Sequence, residues 1–496
     1  MMITPENSIL AAVVLPLIGA IGIGFSNHWP NLRETVTLIT AVLTFCVIFL
    51  LLTPVYAGAR PEVLLFTLFP GVEVKFIIEP LGILFACIAS SLWIITTIYS
   101  IGYMRAHQEK NQTRFYMAFA VAISCAIGIS FSGNVITLFI FYELLSLSTY
   151  PLVTHAGTDD AKKGGRVYLG ILLTASIMFF LPAIIWTLHI AGTLDFTVGG
   201  ILSDKASNTV LGVILLLYLF GIGKAALMPF HRWLPAAMIA PTPVSALLHA
   251  VAVVKAGVFS VLKISLFIFG FDTLEGLGMT QFLMYLAAAT ILIASIVAMR
   301  QDNLKRRLAY STVSQLSYIV LGAMLATRLG FIGGGMHIAT HAFGKITLFF
   351  CAGSILVATH KTEISQMRGL GRDMPFTMAA FLIGSLSVIG LPPFGGLWSK
   401  WYLALGALDA DEILMLVVLM VSSILNVAYL LPIAIRGFFS DPDSSVNNGE
   451  LDKDPVKLHE APPSCVAAQS FTATGTLVLF FYSEPIYLLL NSIFIH

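Results

Sequence analysis

Five lysines lie inside stretches that otherwise read as hydrocarbon: Lys224, Lys255, Lys263, Lys345 and Lys400. None of these positions holds an arginine. The choice matters, because arginine stays protonated everywhere whereas a desolvated lysine can release a proton near neutral pH. The same apolar stretches hold Glu143 in FYELLSLSTYPL, His249 in SALLHAVAVVKAG, and His337, His341 and Lys345 in GMHIATHAFGKITLFF. On a helix, residues four apart are offset by about 40°, so these last three line one face over two turns. His249 and Lys255 are six apart, on different faces and about 9 Å apart along one axis, where they can link neighbouring helices. Lys263 lies late in its segment and reads as able to snorkel to the interface. Each buried charge costs roughly 2.5–3.5 kcal/mol on insertion scales. A single histidine or lysine of this kind can be a helix–helix hydrogen-bond partner or half of a salt bridge. The whole set, Glu143, Lys224, His249, Lys255, His337, His341, Lys345 and Lys400, suits a proton relay.

Two of the lysines neighbour helix breaks. Lys224 precedes Pro229 in GIGKAALMPFHRWLP, and Lys400 follows Pro392 and Pro393 in IGLPPFGG. Proline removes a backbone donor and clashes with the carbonyl four residues back. In hydrocarbon, the freed carbonyls must find a partner in protein or water. Interrupted segments in corresponding positions of two halves point to a transporter with inverted repeats. These two are the seventh and twelfth apolar segments, which suggests repeats of spans 4–8 and 9–13.

The elements that must position these groups follow from composition. The 496-residue chain is 57% hydrophobic and only 11% charged, against about 25% charged in soluble domains. With about 20 apolar residues per crossing, fourteen candidate spans appear, near 8–25, 35–54, 79–101, 115–132, 134–153, 167–191, 209–228, 241–268, 280–299, 308–327, 331–358, 376–402, 413–437 and 471–492. The expected fold is an all-α polytopic membrane protein of about fourteen transmembrane helices, broken at helices 7 and 12. Its expected units are 1–110 (helices 1–3), 111–270 (first five-helix repeat), 271–437 (second repeat), a cytoplasmic loop at 438–470, and a last helix at 471–496. Of 27 lysines and arginines, 18 fall in odd-numbered loops and four in even-numbered ones. The positive-inside rule then places the odd loops in the cytoplasm and both termini outside.

Other function classes find little footing. The net charge of +1 gives no drive toward nucleic acid. GIGK lacks the GxxxxGK[ST] spacing of a phosphate loop. No zinc motif, nucleophile elbow, or haem or iron–sulfur spacing appears, so no cofactor is expected. The five cysteines form no CxxC pair. A non-transporting scaffold is the rival reading, and it predicts that replacing Lys224 or Lys400 by methionine is neutral or stabilising.

The motifs resemble the antiporter-like subunits shared by Mrp-type Na+/H+ antiporters, respiratory complex I and membrane-bound hydrogenases. PFHRWLPAAMIAPTPVSALLHAVAVVKAGVF is similar to that family's signature around spans 7 and 8, and FYELLSLSTYPL to its fifth span. NLKRRLAYSTVSQLSYI, HIATHAFGKITLFF and GLPPFGGLWSKWYL are similar to the entry into its tenth span, the eleventh and the twelfth. The resemblance implies that Glu143 is the acidic partner on span 5 and Lys224 the lysine of the broken seventh. It implies that Lys255 and His249 connect through span 8, that His337, His341 and Lys345 form the centre, and that Lys400 ends the axis. Relatives often read WLPDAM where this chain has Ala236, which removes an acid from that mouth. The size suits the Mrp D-subunit. The implied function is proton translocation in a multisubunit Na+/H+ antiporter of the bacterial inner membrane, with other hydrophobic subunits as partners. A proton-pumping subunit of a redox-driven complex is the alternative.

Overall fold

The computed structural model describes residues 4–440 and 459–495. Helices dominate, and their starts are written in the sequence. α1 (Pro5–Phe25), α2 (Pro30–Tyr56) and α3 (Pro80–Ala106) each open on a proline, whose missing N–H is one a helix start leaves unpaired anyway. α4 (Gln112–Ser130) leads to α5 (Val135–Val153), where the Asn134 side chain accepts the Thr137 N–H at 2.9 Å. α6 (Asp159–Ala191) follows, then α7 (Asn208–Gly221), α8 (Thr242–Phe269), α9 (Gly278–Arg300) and α10 (Leu304–Met324). Next come α11 (Arg328–Thr359), α12 (Pro375–Ile389), α13 (Gly396–Asp409), α14 (Ile413–Phe439) and α15 (Pro463–Phe481).

Burial identifies the centre. The apolar core window of α8 is 100% buried, and those of α4, α3 and α11 are 78%, 72% and 72% buried, whereas α6 and α15 keep only 33% inside. The candidate residues on α8 and α11 are themselves buried.

Four features add to or depart from these expectations. The fold is not purely helical, since β1 (Glu62–Phe69) and β2 (Val72–Ile77) form an antiparallel hairpin pairing Leu64 with Lys75. Valine, leucine and phenylalanine suit a pleated strand, and Gly71 turns the chain at φ +85°. The hairpin fills the gap between the second and third candidate spans. Second, among the described residues eleven helices are each long and apolar enough to cross a membrane, and the other three candidate spans also fall on helices. These three are α7, the broken pair α12–α13, and α10, whose LKRRLAYSTVSQLSY is more polar.

Third, the last helix starts at Pro463, inside the expected loop, and breaks at Tyr482 before a short turn of helix at Glu484–Asn491. Pro463 at N1 and buried Cys465 and Ala468 explain the early start. Of the expected loop, 441–458 lies outside the described residues. Fourth, Lys263 does not snorkel; it is fully buried and ion-paired with Glu79 at 2.5 Å.

Candidate functional site

The first break builds the Lys224 site. α7 stops at Gly221, a single 3-10 turn covers Gly223–Ala225, and Ala226 takes a left-handed φ of +55°. The Gly223 carbonyl accepts both the Ala226 N–H at 3.0 Å and the Trp233 indole N–H at 2.9 Å, so the break is closed by protein groups. α8 lies so close that a Cβ on Gly257 would meet the Lys224 carbonyl carbon at 2.3 Å. Lys224 is fully buried. Its ammonium donates to the Tyr142 carbonyl at 2.7 Å and to Ser146 Oγ at 2.6 Å, and lies 3.2 Å from the Tyr142 ring centroid. A cation over an aromatic face gains about 2 kcal/mol when desolvated. The charge is thus held without a contacting carboxylate.

The centre lies between α8 and α11. Lys255 Nζ is 2.5 Å from His341 Nδ1. The His341 and His337 rings are 5.6 Å apart, and His337 Nδ1 is 2.8 Å from Ser399 Oγ. Among the described residues the Nε2 atoms of both histidines have no hydrogen-bond partner. Ser399 is followed in sequence by Lys400, and the Tyr318 ring stacks on His337 at 5.6 Å with its face 5.0 Å from Lys400 Nζ. Lys255, His341, His337, Ser399 and Lys400 therefore form one continuous series.

The second break repeats the logic of the first. Gly390 ends α12 at φ +91°, a backbone shape open to glycine. The Ile389 carbonyl accepts from Lys400 Nζ at 2.8 Å, and Ser423 Oγ lies 3.3 Å from the same nitrogen. In both places a lysine at a helix break bonds one carbonyl and one serine and sits over a tyrosine: Tyr142 on α5 in the first case, Tyr318 on α10 in the second.

Three groups fall outside this series. Glu143 makes no ion pair with Lys224 among the described residues, and its buried Oε1 lacks a partner. The reason is helical. Tyr142 and Ser146, four apart, face Lys224, and Glu143 points about 100° away. Lys345 shares the face of His341 but sends its ammonium to α10, 2.5 Å from Ser311 Oγ, which also receives Tyr429 at 2.8 Å. His249 lies against Phe349, ring centroids 4.6 Å apart and tilted by 40°, and among the described residues neither ring nitrogen has a partner. Pro229 and Pro393 lie within the breaks after cis peptide bonds, Pro392 preceding the second. Sequence reasoning missed Tyr142, Ser146, Ser311, Tyr318 and Ser399, because hydroxyls are common in apolar helices and usually bond their own backbone.

Residues 132–426, over half the chain, match the family described as "NADH:quinone oxidoreductase/Mrp antiporter, TM". The chain belongs to that family: it is an antiporter-like, multi-pass membrane subunit of ion-translocating complexes. It is 31% identical over 427 residues to the NADH-quinone oxidoreductase subunit N of Desulforudis audaxviator (strain MP104C), covering 84% of each chain. A longer relative, NAD(P)H-quinone oxidoreductase chain 5 of Synechocystis sp., is 33% identical over 348 residues; the match covers 66% of this chain and 49% of that one. The fold is similar to a chain of the Mrp complex from Dietzia sp. DQ12-45-1b, with TM-score 0.86, 21% identity, and 99% of this chain and 97% of that chain covered. A chain of the membrane-bound sulfane sulfur reductase, an archaeal respiratory membrane complex, gives TM-score 0.84 at 24% identity over 98% and 96% of the two chains.

Proposed function

We propose that this chain is the proton-translocating subunit of a multisubunit monovalent cation (Na+)/H+ antiporter of the Mrp kind. The observation that carries the reading is the contact series Lys255–His341–His337–Ser399, ending beside Lys400. A protonated Lys255 faces His341 Nδ1 within hydrogen-bond reach, so a proton can pass to the ring and leave a neutral amine. The ring then releases its other proton from Nε2 toward His337, and from there toward Lys400. Lys224 is the cation at the first break, tuned through space by Glu143. His249 and Lys345 act as side branches of the central pair.

The mirrored lysine-over-tyrosine geometry supports residues 111–270 and 271–437 as two repeats. The uneven distribution of basic residues supports cytoplasmic odd loops and outward termini in a bacterial inner membrane. Partners on this reading are other hydrophobic subunits, and sodium moves through the assembled complex.

A second reading, a proton-pumping subunit of a redox-driven complex, is favoured by the names of the curated relatives, which are quinone oxidoreductase subunits. Purification in mild detergent with mass spectrometry of everything retained separates the two. Hydrophobic subunits without iron, flavin or nickel support the antiporter; co-purifying iron–sulfur or flavin subunits overturn it. Either reading requires Lys224→Ala to abolish proton movement while the protein stays in the membrane. Undiminished movement sinks both.

A further inference from the structure

Lys263 takes no part in the series above, yet it is a third fully buried titratable group on α8, after His249 and Lys255. Its ammonium is 2.5 Å from Glu79 Oε1 and donates to the Ser132 carbonyl at 2.5 Å. Phe196, Phe259 and Phe267 present their rings at 4.3, 5.6 and 6.0 Å. Glu79 sits at the N-cap of α3, where a side-chain oxygen ordinarily accepts a helix N–H. It makes no such bond and turns to Lys263 instead. Its second oxygen, Oε2, is buried without a partner among the described residues, an arrangement that costs about 1–3 kcal/mol. Glu79 also lines a cavity of about 230 Å³ beside the hairpin, with Gly58, Arg60, Val198 and Phe267 in the same wall. That volume holds several waters.

We infer that Glu79 and Lys263 form a proton-exchange site that joins this cavity to the buried interior of the subunit. It rests on the proton reading of the row, because Lys255 lies eight residues away on the same helix, about 12 Å along the axis. The step balances simply. Lys263 passes a proton to the Glu79 carboxylate, giving a neutral amine and a carboxylic acid. The acid releases that proton to cavity water, and the amine is refilled from inside. The charged groups facing the site are Arg60 across the cavity and Glu79 itself; nearby Lys75 is engaged by Asp195 at 3.0 Å and Glu62 at 3.4 Å. Arg60 in the wall disfavours a metal cation as the ligand and leaves the proton.

The test uses lysine's difference from arginine. Lys263→Arg keeps the charge and the ion pair but cannot release a proton. In everted vesicles carrying the whole complex, it should assemble at wild-type abundance and lower proton movement about a hundredfold. Wild-type movement in Lys263→Arg means a structural pair and overturns the inference. Should Lys263→Arg fail to accumulate, the neutral double variant Glu79→Gln/Lys263→Met decides. Lost movement with intact assembly supports exchange, and retained movement overturns it. Lys224→Met in parallel separates the two levels. If it too moves protons normally, the proposed function fails; if it is inactive while the double variant is active, only the exchange site fails.

Discussion

Gly257→Ala adds one methyl group and no charge, yet the structure makes it a severe test of the Lys224 site. The new Cβ would lie 2.3 Å from the Ala225 nitrogen, 2.3 Å from the Lys224 carbonyl carbon and 2.7 Å from its oxygen. All three are backbone atoms, which cannot rotate away. Ordinary contact begins near 3.4 Å, so α8 and the Lys224 turn must part by about 1 Å. The Lys224 ammonium bonds start at 2.7 and 2.6 Å, and a shift of that size takes them past the usual limit of about 3.2 Å. Overpacking costs about 1–3 kcal/mol, offset by about 1 kcal/mol because alanine favours helix over glycine. Abundance should therefore fall only modestly. A 1 Å misplacement of a reacting group costs about a hundredfold in rate, so proton movement in everted vesicles should drop by that order. Gly170→Ala, with nothing within 4 Å of the new methyl, is the control. If Gly257→Ala moves protons within twofold of wild type at normal abundance, the registry of α8 against Lys224 does not matter and the reasoning is refuted.

Other outcomes follow from single contacts. His337→Gln can keep a bond to Ser399 but cannot relay a proton, so it should assemble normally and lose transport; a transporting variant removes His337 from the path. Trp233→Phe removes one of the two donors on the Gly223 carbonyl and leaves the Ala226 N–H at 3.0 Å, so it should lower the melting temperature in detergent by an amount equivalent to only about 1 kcal/mol; an unchanged melt means that the indole bond does not hold the break. His155, at the end of α5, is pushed below its usual 6.5 by burial, only partly offset by the Glu109 carboxylate. The folded state then binds fewer protons than the unfolded one, so stability is full above pH 6.5 and lost as pH falls toward the lowered value; His155→Gln should flatten that acid dependence in a thermal melt at pH 7 and pH 5.

Much of this was readable in the residues. Lysines within apolar runs, proline beside two of them, and the four-residue spacing of His337 and His341 follow from hydropathy and helix period alone. The contact of Lys255 with His341 does not, because it depends on how α8 and α11 cross. Lys263 was misread for a related reason. Its place near the end of an apolar segment suggests the interface, but α8 is wrapped on every side, and its partner Glu79 lies 184 positions earlier in the chain. Glu143 stands one residue from the nearer of the side chains that touch Lys224, Tyr142 and Ser146; which of these neighbours makes the direct contact is set by helix rotation, which spacing alone does not give. The hairpin was lost because a span ruler discards whatever lies between spans.

The two breaks also differ in one respect. The first is closed by the Trp233 indole, a donor whose strength is the same at every physiological pH. The second is closed by the Lys400 ammonium on the Ile389 carbonyl, a charge-assisted bond about twice as strong as a neutral one. On the proposed function, Lys400 gives up its proton and that clasp slackens while the other holds. The first break is then a fixed bearing and the second a latch set by its own cargo. Amide hydrogen exchange across 389–396 at pH 6 and pH 9, faster at the higher pH beyond the chemical rate and unmatched at 222–227, is the sign of it; parallel behaviour of the two segments would make them equivalent.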